Sequence, residues 1–366
     1  MRLQKLNLVN FRNFNKLDLE FTKNIICFTG LNGQGKTNVV ESVALLSNLT
    51  SFRTSIYSDM AGYGDNYFSA TGKFKNRTGR TIDVRIGYNG KTKKIFVDNK
   101  KLLRYSEMWG KIPLVYLIPD ENIITSGAPA YRRDFLDRLL SMADNEYFKL
   151  ISDYSSVVKQ KNKMLSKLSE NFSHDSTMLN VYNTKISNIG FQIFDKRKVF
   201  LENFLVFFKE IFKTVTDGLY EGDINYISGS DLFNYEASTS ERLKKYHKDE
   251  IRRRVSLVGP HRDDLEFLID GRQLKKYGSK GQHKLFLVSL KLAEIEYVKS
   301  VTDEYPIFIL DDLYSEIDEK KSDCVARILD KEVQTFVTTS NFSMVSRFGS
   351  SSVQVFGVEN GKCKVL

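Results

Sequence analysis

Gly30-Leu31-Asn32-Gly33-Gln34-Gly35-Lys36-Thr37 fits the pattern G-x-x-x-x-G-K-[ST]. Asn24-Ile25-Ile26-Cys27-Phe28-Thr29 precedes it with the short apolar run of a buried strand, and the spacing after it predicts a helix from Lys36 to about Leu49. A strand, a glycine-rich turn and a helix in that order make a phosphate loop. The glycines let the backbone wrap so that its N–H groups, and the helix N-terminus behind them, face a β-phosphate. Lys36 then places a cation between the β- and γ-phosphates, and Thr37 offers a hydroxyl to Mg²⁺. An ordinary glycine turn is the competing reading, and the strand and helix on its two sides argue against it.

Such a loop needs a second metal ligand from a neighbouring strand. Ile307-Phe308-Ile309-Leu310-Asp311-Asp312 supplies it, with four residues of a fully buried strand followed by two acids. Asp311 is the expected Mg²⁺ partner, directly or through water. Asp312, facing the other way, is the expected base or orienter for an attacking water. Between loop and acids stands Gly278-Ser279-Lys280-Gly281-Gln282, at the start of a helix predicted from Gly281 to about Ser300. A serine hydroxyl and the free N–H groups of a helix start can hold an anion. Two helix N-termini of one chain cannot reach one γ-phosphate from opposite sides. A head-to-tail dimer uses both, each copy completing the other's site. The nucleotide contacts expected are therefore Gly30 to Thr37 with Ser279, Gly281 and Gln282. Lys36 and Asp312 are the catalytic residues and Thr37 and Asp311 the metal ligands.

The order of phosphate loop, long insertion, Ser-x-Gly-Gln and acid pair, then Ser315-Glu316-Ile317-Asp318, resembles ABC-type ATPases. Its finer detail resembles the RecF family of bacterial recombination mediators. Asn10-Phe11-Arg12-Asn13-Phe14 is similar to that family's opening strand and to that of chromosome-maintenance ATPases. Gly127-Ala128-Pro129-Ala130-Tyr131-Arg132-Arg133-Asp134-Phe135-Leu136-Asp137 matches G-x-P-x-x-R-R-x-F-L-D, and Gly259-Pro260-His261-Arg262-Asp263-Asp264-Leu265 matches G-P-H-R-D-D-L. Ser289-Leu290-Lys291-Leu292-Ala293-Glu294 and Asp311-Asp312-Leu313-Tyr314-Ser315-Glu316-Ile317-Asp318 also fit, so the resemblance spans essentially the whole chain. It implies ATP and Mg²⁺ as cofactors and an ATP-dependent homodimer on double-stranded DNA and single/double-strand junctions. It also implies a RecR-type mediator as partner and indirect help in loading the RecA recombinase during repair.

Three departures bear on that expectation. The family's S-Q-G-Q-Q-R reads Ser279-Lys280-Gly281-Gln282-His283-Lys284 here, which adds a charge at Lys280. Its P-E-D reads Pro119-Asp120-Glu121, leaving open a water- or Mg²⁺-positioning role there. Thr338-Thr339-Ser340 stands where ABC transporters carry a switch histidine. With Asp312 one methylene shorter than glutamate, slow hydrolysis is expected, a timer rather than a motor.

Lys plus Arg number 55 against 45 Asp plus Glu, a net +10 with pI near 9.2. Eleven basic residues against only Asp83 and Asp98 fall between Lys73 and Arg104, a β-rich segment suited to tracking phosphates without reading bases. A solvated hairpin face is the alternative. Arg252-Arg253-Arg254 and Lys159-Gln160-Lys161-Asn162-Lys163 are weaker candidates. Hydrophobic content of 41%, 27% charged residues and a mean hydropathy of −0.33 exclude a disordered or collagen-like chain. No apolar run approaches a membrane span, the first residues lack a signal-peptide core, and Cys27, Cys324 and Cys363 have no metal spacing, so a cytoplasmic protein without a membrane partner is expected.

The fold expected is α/β, an ABC-type phosphate-loop ATPase lobe with a mixed sheet and helices, carrying an inserted helical lid. Strands are predicted between Leu3 and Phe21, between Tyr67 and Val97, at Leu114–Ile118, over Arg254–Ile269 and at Thr335–Thr338. Helical spacing runs from Ala130 to Leu219, with a loop near Asn171–Ser176, and recurs over Lys320–Leu329. The lobe is expected over 1–119 and 255–366, the lid over 120–254. A transporter's nucleotide-binding subunit is opposed by the lid and by the missing glutamine after Leu114–Ile118 and missing histidine. A nuclease-coupled or toxin–antitoxin ATPase is expected to need a further acidic domain. His261 beside Asp263 and Asp264 lacks proper spacing for zinc.

Overall fold

The computed structural model describes residues 1–171, 177–312, 332–341 and 353–366. The chain divides into two compact units. Unit 1 is Met1–Asn122, Glu210–Leu219 and Lys284–Leu366; unit 2 is Ile123–Lys209 and Tyr220–His283. The division departs from the boundary expected at 254/255, because residues 255–283 group with the helical segment.

Unit 1 holds two six-stranded sheets. One is antiparallel, in the order β2 (Phe14–Glu20), β1 (Arg2–Phe11), β4 (Phe68–Lys75), β5 (Thr81–Tyr88), β6 (Lys93–Val97) and β7 (Lys100–Lys101). Its strands alternate buried and exposed residues, as Ile82, Val84 and Ile86 do against Thr81, Asp83 and Arg85, so one face meets the core and the other meets water. The second sheet runs β15 (Lys362–Val365), β14 (Val353–Glu359), β3 (Ile25–Thr29), β13 (Thr335–Thr339), β12 (Ile307–Asp311) and β8 (Leu114–Leu117). All its pairings are parallel except β14 with β15.

Every residue of β3, β12 and β13 is buried, which explains why these strands read as unbroken apolar runs rather than alternating ones. The register sets Asp311 beside Thr338 and Thr338 beside Phe28. The three strands therefore finish at one edge of the sheet, where parallel α/β sheets bind ligands. Helix α1 (Lys36–Asn48) packs Val39, Val40, Val43 and Leu46 into the core shared by Phe28, Phe74 and Phe336.

Unit 2 carries α3 (Pro129–Ala143), α4 (Asn145–Asn171), α6 (Tyr235–Lys245), α7 (His247–Arg253), α8 (Leu274–Tyr277) and a three-stranded antiparallel sheet. In that sheet β10 (Asp264–Ile269) lies between β9 (Gly222–Ile227) and β11 (Arg272–Gln273). Helices α2 (Asn122–Ser126), α5 (Thr177–Val215) and α9 (Lys280–Thr302) have residues in both units. The strand expected over Arg254–Ile269 is only Asp264–Ile269. Before it, Arg254 closes α7 in the left-handed region and Pro260–Arg262 form a single 3-10 turn. Strand β9 falls where a lid of helices was expected; it pairs with β10 from Gly222–Ile269 to Ile227–Asp264, and this pairing groups residues after 254 with the helical unit. The segments Leu313–Asp318 and Lys320–Leu329, with Cys324 and residues 172–176 of the expected loop, lie outside the described residues.

Candidate nucleotide-binding site

The loop between β3 and α1 turns on Gly30 (φ 153), Gly33 (φ 79) and Gly35 (φ 112). A Cβ on Gly30 would come within 2.3 Å of the Val358 carbonyl oxygen, and one on Gly35 within 2.5 Å of the Asn13 amide. Both positions thus need glycine for conformation and for space. The buried Lys36 donates from Nζ to the carbonyl oxygens of Gly30 (2.9 Å) and Leu31 (3.1 Å), which holds its ammonium within the loop. Leu31, Asn32 and Gly33 are exposed at the loop's outer turn.

Thr37, the first-turn neighbour of that lysine, donates from Oγ1 to Asp311 at 3.0 Å. Thr338 donates to the same carboxylate from the end of β13. Burial pushes the Asp311 carboxyl up from its ordinary value, while the Thr338 and Thr37 hydroxyls pull it back. Hydroxyls satisfy the carboxylate's geometry but carry no charge, so Asp311 retains an anion's field in a site that screens it poorly. That is the donor set a small oxygen-seeking cation such as Mg²⁺ suits. Asp312 follows in the left-handed region (φ 51), its N–H donating to Thr338 Oγ1 at 3.0 Å. Thr338 thus bridges the two acids, donating to one and accepting from the next, in the place where a switch histidine would stand.

Ser279 and Gln282 lie in unit 2 and open α9. The Ser279 hydroxyl accepts from the Gln282 N–H (3.2 Å), and the Gln282 side chain accepts from the Ser279 N–H (2.9 Å). This reciprocal pair is a capping box. The serine oxygen accepts in the cap, and its O–H hydrogen stays available to a further acceptor. Ser279, Lys280 and Gly281 are exposed, and among the described residues a Cβ on Gly281 would meet only the Ser279 hydroxyl, at 3.9 Å. Packing among the described residues gives no reason for glycine there.

The family model of the RecF/RecN/SMC N terminal domain matches residues 2–364. The DNA replication and repair protein RecF of Ligilactobacillus salivarius (strain UCC118) is 31% identical over 369 residues, covering 99% of this chain and 97% of the relative. That of Geotalea uraniireducens (strain Rf4) is 32% identical over 368 residues, covering 99% of each. The chain belongs to the RecF family. The solved structure of the recombination mediator protein RecF-ATP in the RecFOR pathway superposes with a TM-score of 0.90 at 27% identity, over 100% of this chain and 97% of that one. An Smc head bound to the C-terminal winged-helix domain of ScpA shares the fold, with a TM-score of 0.59 at 16% identity over 100% and 98%. The fold is therefore that of the ABC-type heads of RecF and SMC proteins.

Four residues at the loop's rim were not among the expected site residues: Asn38 and Asn360 lie in no motif, and Arg12 and Asn13 stand in the opening-strand run, whose resemblance assigned them no contact with the loop. Asn13 Nδ2 donates to the Gln34 carbonyl oxygen and Asn38 Nδ2 donates to Asn13 Oδ1, both at 2.8 Å. The Asn360 N–H, from the β14–β15 turn, donates to Gln34 Oε1 at 2.7 Å. The preceding Arg12 grips the buried Glu41 of α1 through Nε and Nη2 (3.0 and 2.6 Å). The opening strand's Asn-Phe-Arg-Asn-Phe run therefore ties β1 to the phosphate loop and to the helix behind it.

Glu121, whose sequence position left a water- or metal-positioning role open, is buried and paired with the buried Lys291 of α9 at 2.7 Å; Glu294 lies 2.9 Å from the same ammonium. Its place is in a structural pair of unit 1. The two longest family motifs of unit 2 likewise meet each other. Arg132 holds Asp264 through two bonds of 2.8 Å, Arg133 donates to the Asp263 carbonyl oxygen, and Arg197 joins Asp137 (2.7 Å) to the Pro260 carbonyl oxygen (2.9 Å). Asp263 accepts from Tyr226, Ser228 and Tyr235. His261 has Tyr154 on one ring nitrogen and the Ser256 carbonyl oxygen on the other. Among the described residues no group of three His, Cys, Asp or Glu could hold a metal.

The basic segment forms β4–β7. Lys73, Arg85, Lys94 and Lys101 share the sheet's solvent face, where Arg85 lies opposite Phe96 and Phe96 opposite Lys101. Lys93 instead lies over the rings of Tyr57 and Tyr105, and Arg77 pairs with Asp303. Among the described residues no helix is long and apolar enough to cross a membrane.

Proposed function

We propose that this chain binds ATP with Mg²⁺ on the phosphate loop of unit 1 and, so loaded, pairs with a second copy on DNA. The observation that carries the reading is the buried Asp311 carboxylate beside the Thr37 hydroxyl at the open ends of β3 and β12. Gly30 to Thr37 wrap the phosphates, and Lys36 places its ammonium between the last two. Thr37 and Asp311 hold Mg²⁺, which when bound neutralises charge on the transferred phosphoryl group. Asp312 orients the attacking water and accepts its proton. Its short side chain sets a turnover below about 10 s⁻¹, an ordinary enzyme value.

Ser279 and Gly281 of each copy reach the γ-phosphate held by the other, with Gln282 holding the serine in place. That no described residue packs against Gly281 closely enough to require glycine supports this, because a surface that a phosphate must approach closely cannot carry a Cβ. The exposed basic face of β4–β7 tracks the backbone of double-stranded DNA and single/double-strand junctions. Hydrolysis parts the copies and releases the DNA. In the cytoplasm the cycle serves recombinational repair, with a RecR-type mediator as partner and RecA loading as the outcome.

Size-exclusion chromatography with light scattering, with and without Mg-ATP, tests the reading on the wild type and on Asp312→Asn. A dimer that forms only with ATP and persists in the variant is expected. A monomer in every condition would leave Ser279 and Gly281 without a phosphate and end the proposal.

A further inference from the structure

Nucleoside phosphates thread a phosphate loop in order: its N–H groups cradle the α- and β-phosphates, and its lysine reaches the β- and γ-phosphates. Lys36 Nζ lies against the carbonyl oxygens of Gly30 and Leu31, so the γ end belongs there. The nucleoside therefore leaves on the side of the first turn of α1, past Thr37 and Asn38. The loop itself cannot read the base, because every nucleoside triphosphate carries the same phosphates.

That exit is walled by unit 1. Asn38 is bonded to Asn13 on one side (2.8 Å) and to Arg53 Nη1 on the other (3.0 Å). Arg12, the neighbour of Asn13, donates its N–H to the Met60 carbonyl oxygen (2.8 Å) and from Nη1 to that of Asp59. The Gly62 N–H donates to the Asn10 carbonyl oxygen (2.8 Å), and a Cβ on Gly62 would lie 3.5 Å from the Arg12 carbonyl oxygen. Residues 59–62 thus run along the end of β1, beside the exit.

Gly62-Tyr63-Gly64-Asp65 follows. The Asp65 N–H donates to the Gly62 carbonyl oxygen (2.9 Å), and Gly64 has φ 84, the positive value that the third position of a type II turn needs. Tyr63 stands at the tip and is fully exposed (107%), while Tyr57 and Phe68, on either side of it in sequence, are buried. Among the described residues no side-chain hydrogen bond or ring contact holds the phenol. A flat ring without packing of its own is thus presented from a pinned turn at the nucleoside end of the site. An aromatic face of this kind suits the face of a base.

We infer that Tyr63 stacks on the base of the nucleotide held by the phosphate loop, and thereby favours a purine over a pyrimidine. The inference rests on the reading of that loop as a nucleotide site, and adds the selectivity that the loop lacks. The test titrates the full chain with ADP, UDP and pyrophosphate, each with Mg²⁺, by calorimetry. None of the three carries a γ-phosphate, so pairing with a second copy does not enter. Tyr63→Ala and Tyr63→Phe are compared with the wild type.

Tyr63→Ala is expected to keep its melting temperature and to bind ADP about tenfold more weakly or worse, as the loss of one base–aromatic stack does. UDP loses less, pyrophosphate loses nothing, and Tyr63→Phe binds ADP as the wild type does. Unchanged ADP affinity in Tyr63→Ala overturns the inference. So does a loss shared by pyrophosphate, which would mean a disturbed loop, or a loss that phenylalanine does not restore. Weakened binding of an oligothymidylate with ADP affinity intact would assign the ring to a nucleic-acid strand instead. A wild type that binds pyrophosphate as tightly as ADP defeats the inference alone; one that binds neither defeats the phosphate-loop reading with it.

Discussion

Thr37 Oγ1 donates to Asp311 across 274 positions of sequence, at 3.0 Å. The bond exists because β3 and β12 finish at the same edge of one parallel sheet, and it gathers two oxygen ligands where the phosphate loop begins. Asp311→Asn keeps the shape and both hydroxyl bonds while removing the charge. Mg²⁺-dependent ATP turnover should fall about a hundredfold or more, the loss of several kcal/mol of metal assistance. The melting temperature should hold or rise, since a buried acid's desolvation is relieved. Turnover within threefold of wild type, by a coupled phosphate-release assay, would remove Asp311 from the metal site.

Arg197 is 1% exposed, and its guanidinium joins Asp137, Tyr147, Tyr226 and the Pro260 carbonyl oxygen. Arg197→Met leaves the Asp137 carboxylate without its cation and removes one donor from the Pro260 carbonyl oxygen, a loss of about 3–5 kcal/mol when one partner of a buried pair is removed. At 2–4 °C per kcal/mol for a unit of this size, calorimetry should record a drop of roughly 10 °C. A drop under about 2 °C would mean that the two family motifs do not depend on this residue.

Most of unit 1 was legible because its signals are local. Gly30 to Thr37 announce their backbone, and the buried parallel strands are unbroken apolar runs. What stayed hidden are partners made by topology. Asn13 stands in a recognisable opening-strand run, but only the turn between β1 and β2 sets it 2.8 Å from the Gln34 carbonyl oxygen. Glu121 resembled a site acid because its neighbours did, and only the fold puts Lys291 against it. The G-P-H-R-D-D-L run offered no chemistry because its role is to receive Arg132, Arg133 and Arg197 from other helices. Strand β9 was missed because six residues next to a long helical pattern carry little periodicity, and its partner β10 lies beyond two further helices.

His261 gives unit 2 a pH dependence. Burial, with Arg262, Lys161 and Arg133 nearby, lowers its pKa from 6.5 to about 3, although the Ser256 carbonyl oxygen acts the other way. Tyr154 occupies Nδ1. The unfolded chain takes up this proton near pH 6.5 and the folded one only near 3, so between those values the unfolded state holds more protons. Stability contributed above pH 6.5 is therefore lost as pH falls, by up to a few kcal/mol at about 1.4 per unit. Denaturant unfolding at pH 7, 5.5 and 4 should show His261→Gln losing less than wild type. Parallel losses would show that the histidine is not held neutral.

The basic sheet face predicts which charges matter to DNA. Arg85→Glu, Lys94→Glu and Lys101→Glu should weaken duplex binding alike for unrelated sequences and reduce the salt slope by about one per phosphate. Lys93→Glu acts differently, because its ammonium lies 4.4 Å from the centre of the Tyr57 ring and 4.8 Å from that of Tyr105. Its reversal should lower the melting temperature, since stacked cations of this kind contribute about 0.5–1 kcal/mol at exposed sites. Anisotropy titrations at three salt concentrations separate the two, and a sequence-selective loss from the face variant would rule out backbone tracking.

Gly281 separates a folding role from a binding one most sharply. It lies in the first turn of α9, where glycine is less favourable than alanine by up to about 1 kcal/mol, and among the described residues a Cβ there meets nothing nearer than the Ser279 hydroxyl at 3.9 Å. Gly281→Ala should therefore leave the monomer's melting temperature unchanged or raised, and keep nucleotide affinity of the monomer, since unit 1 supplies the phosphate loop. If the partner's γ-phosphate approaches this surface, the added methyl should abolish the ATP-dependent dimer in light scattering and, with it, most turnover. Ser279→Ala removes the cap oxygen as well as the hydroxyl that meets the phosphate, so it should lose both the dimer and about 1 kcal/mol of stability. A Gly281→Ala protein that still dimerises with ATP would mean that the helix start faces no phosphate.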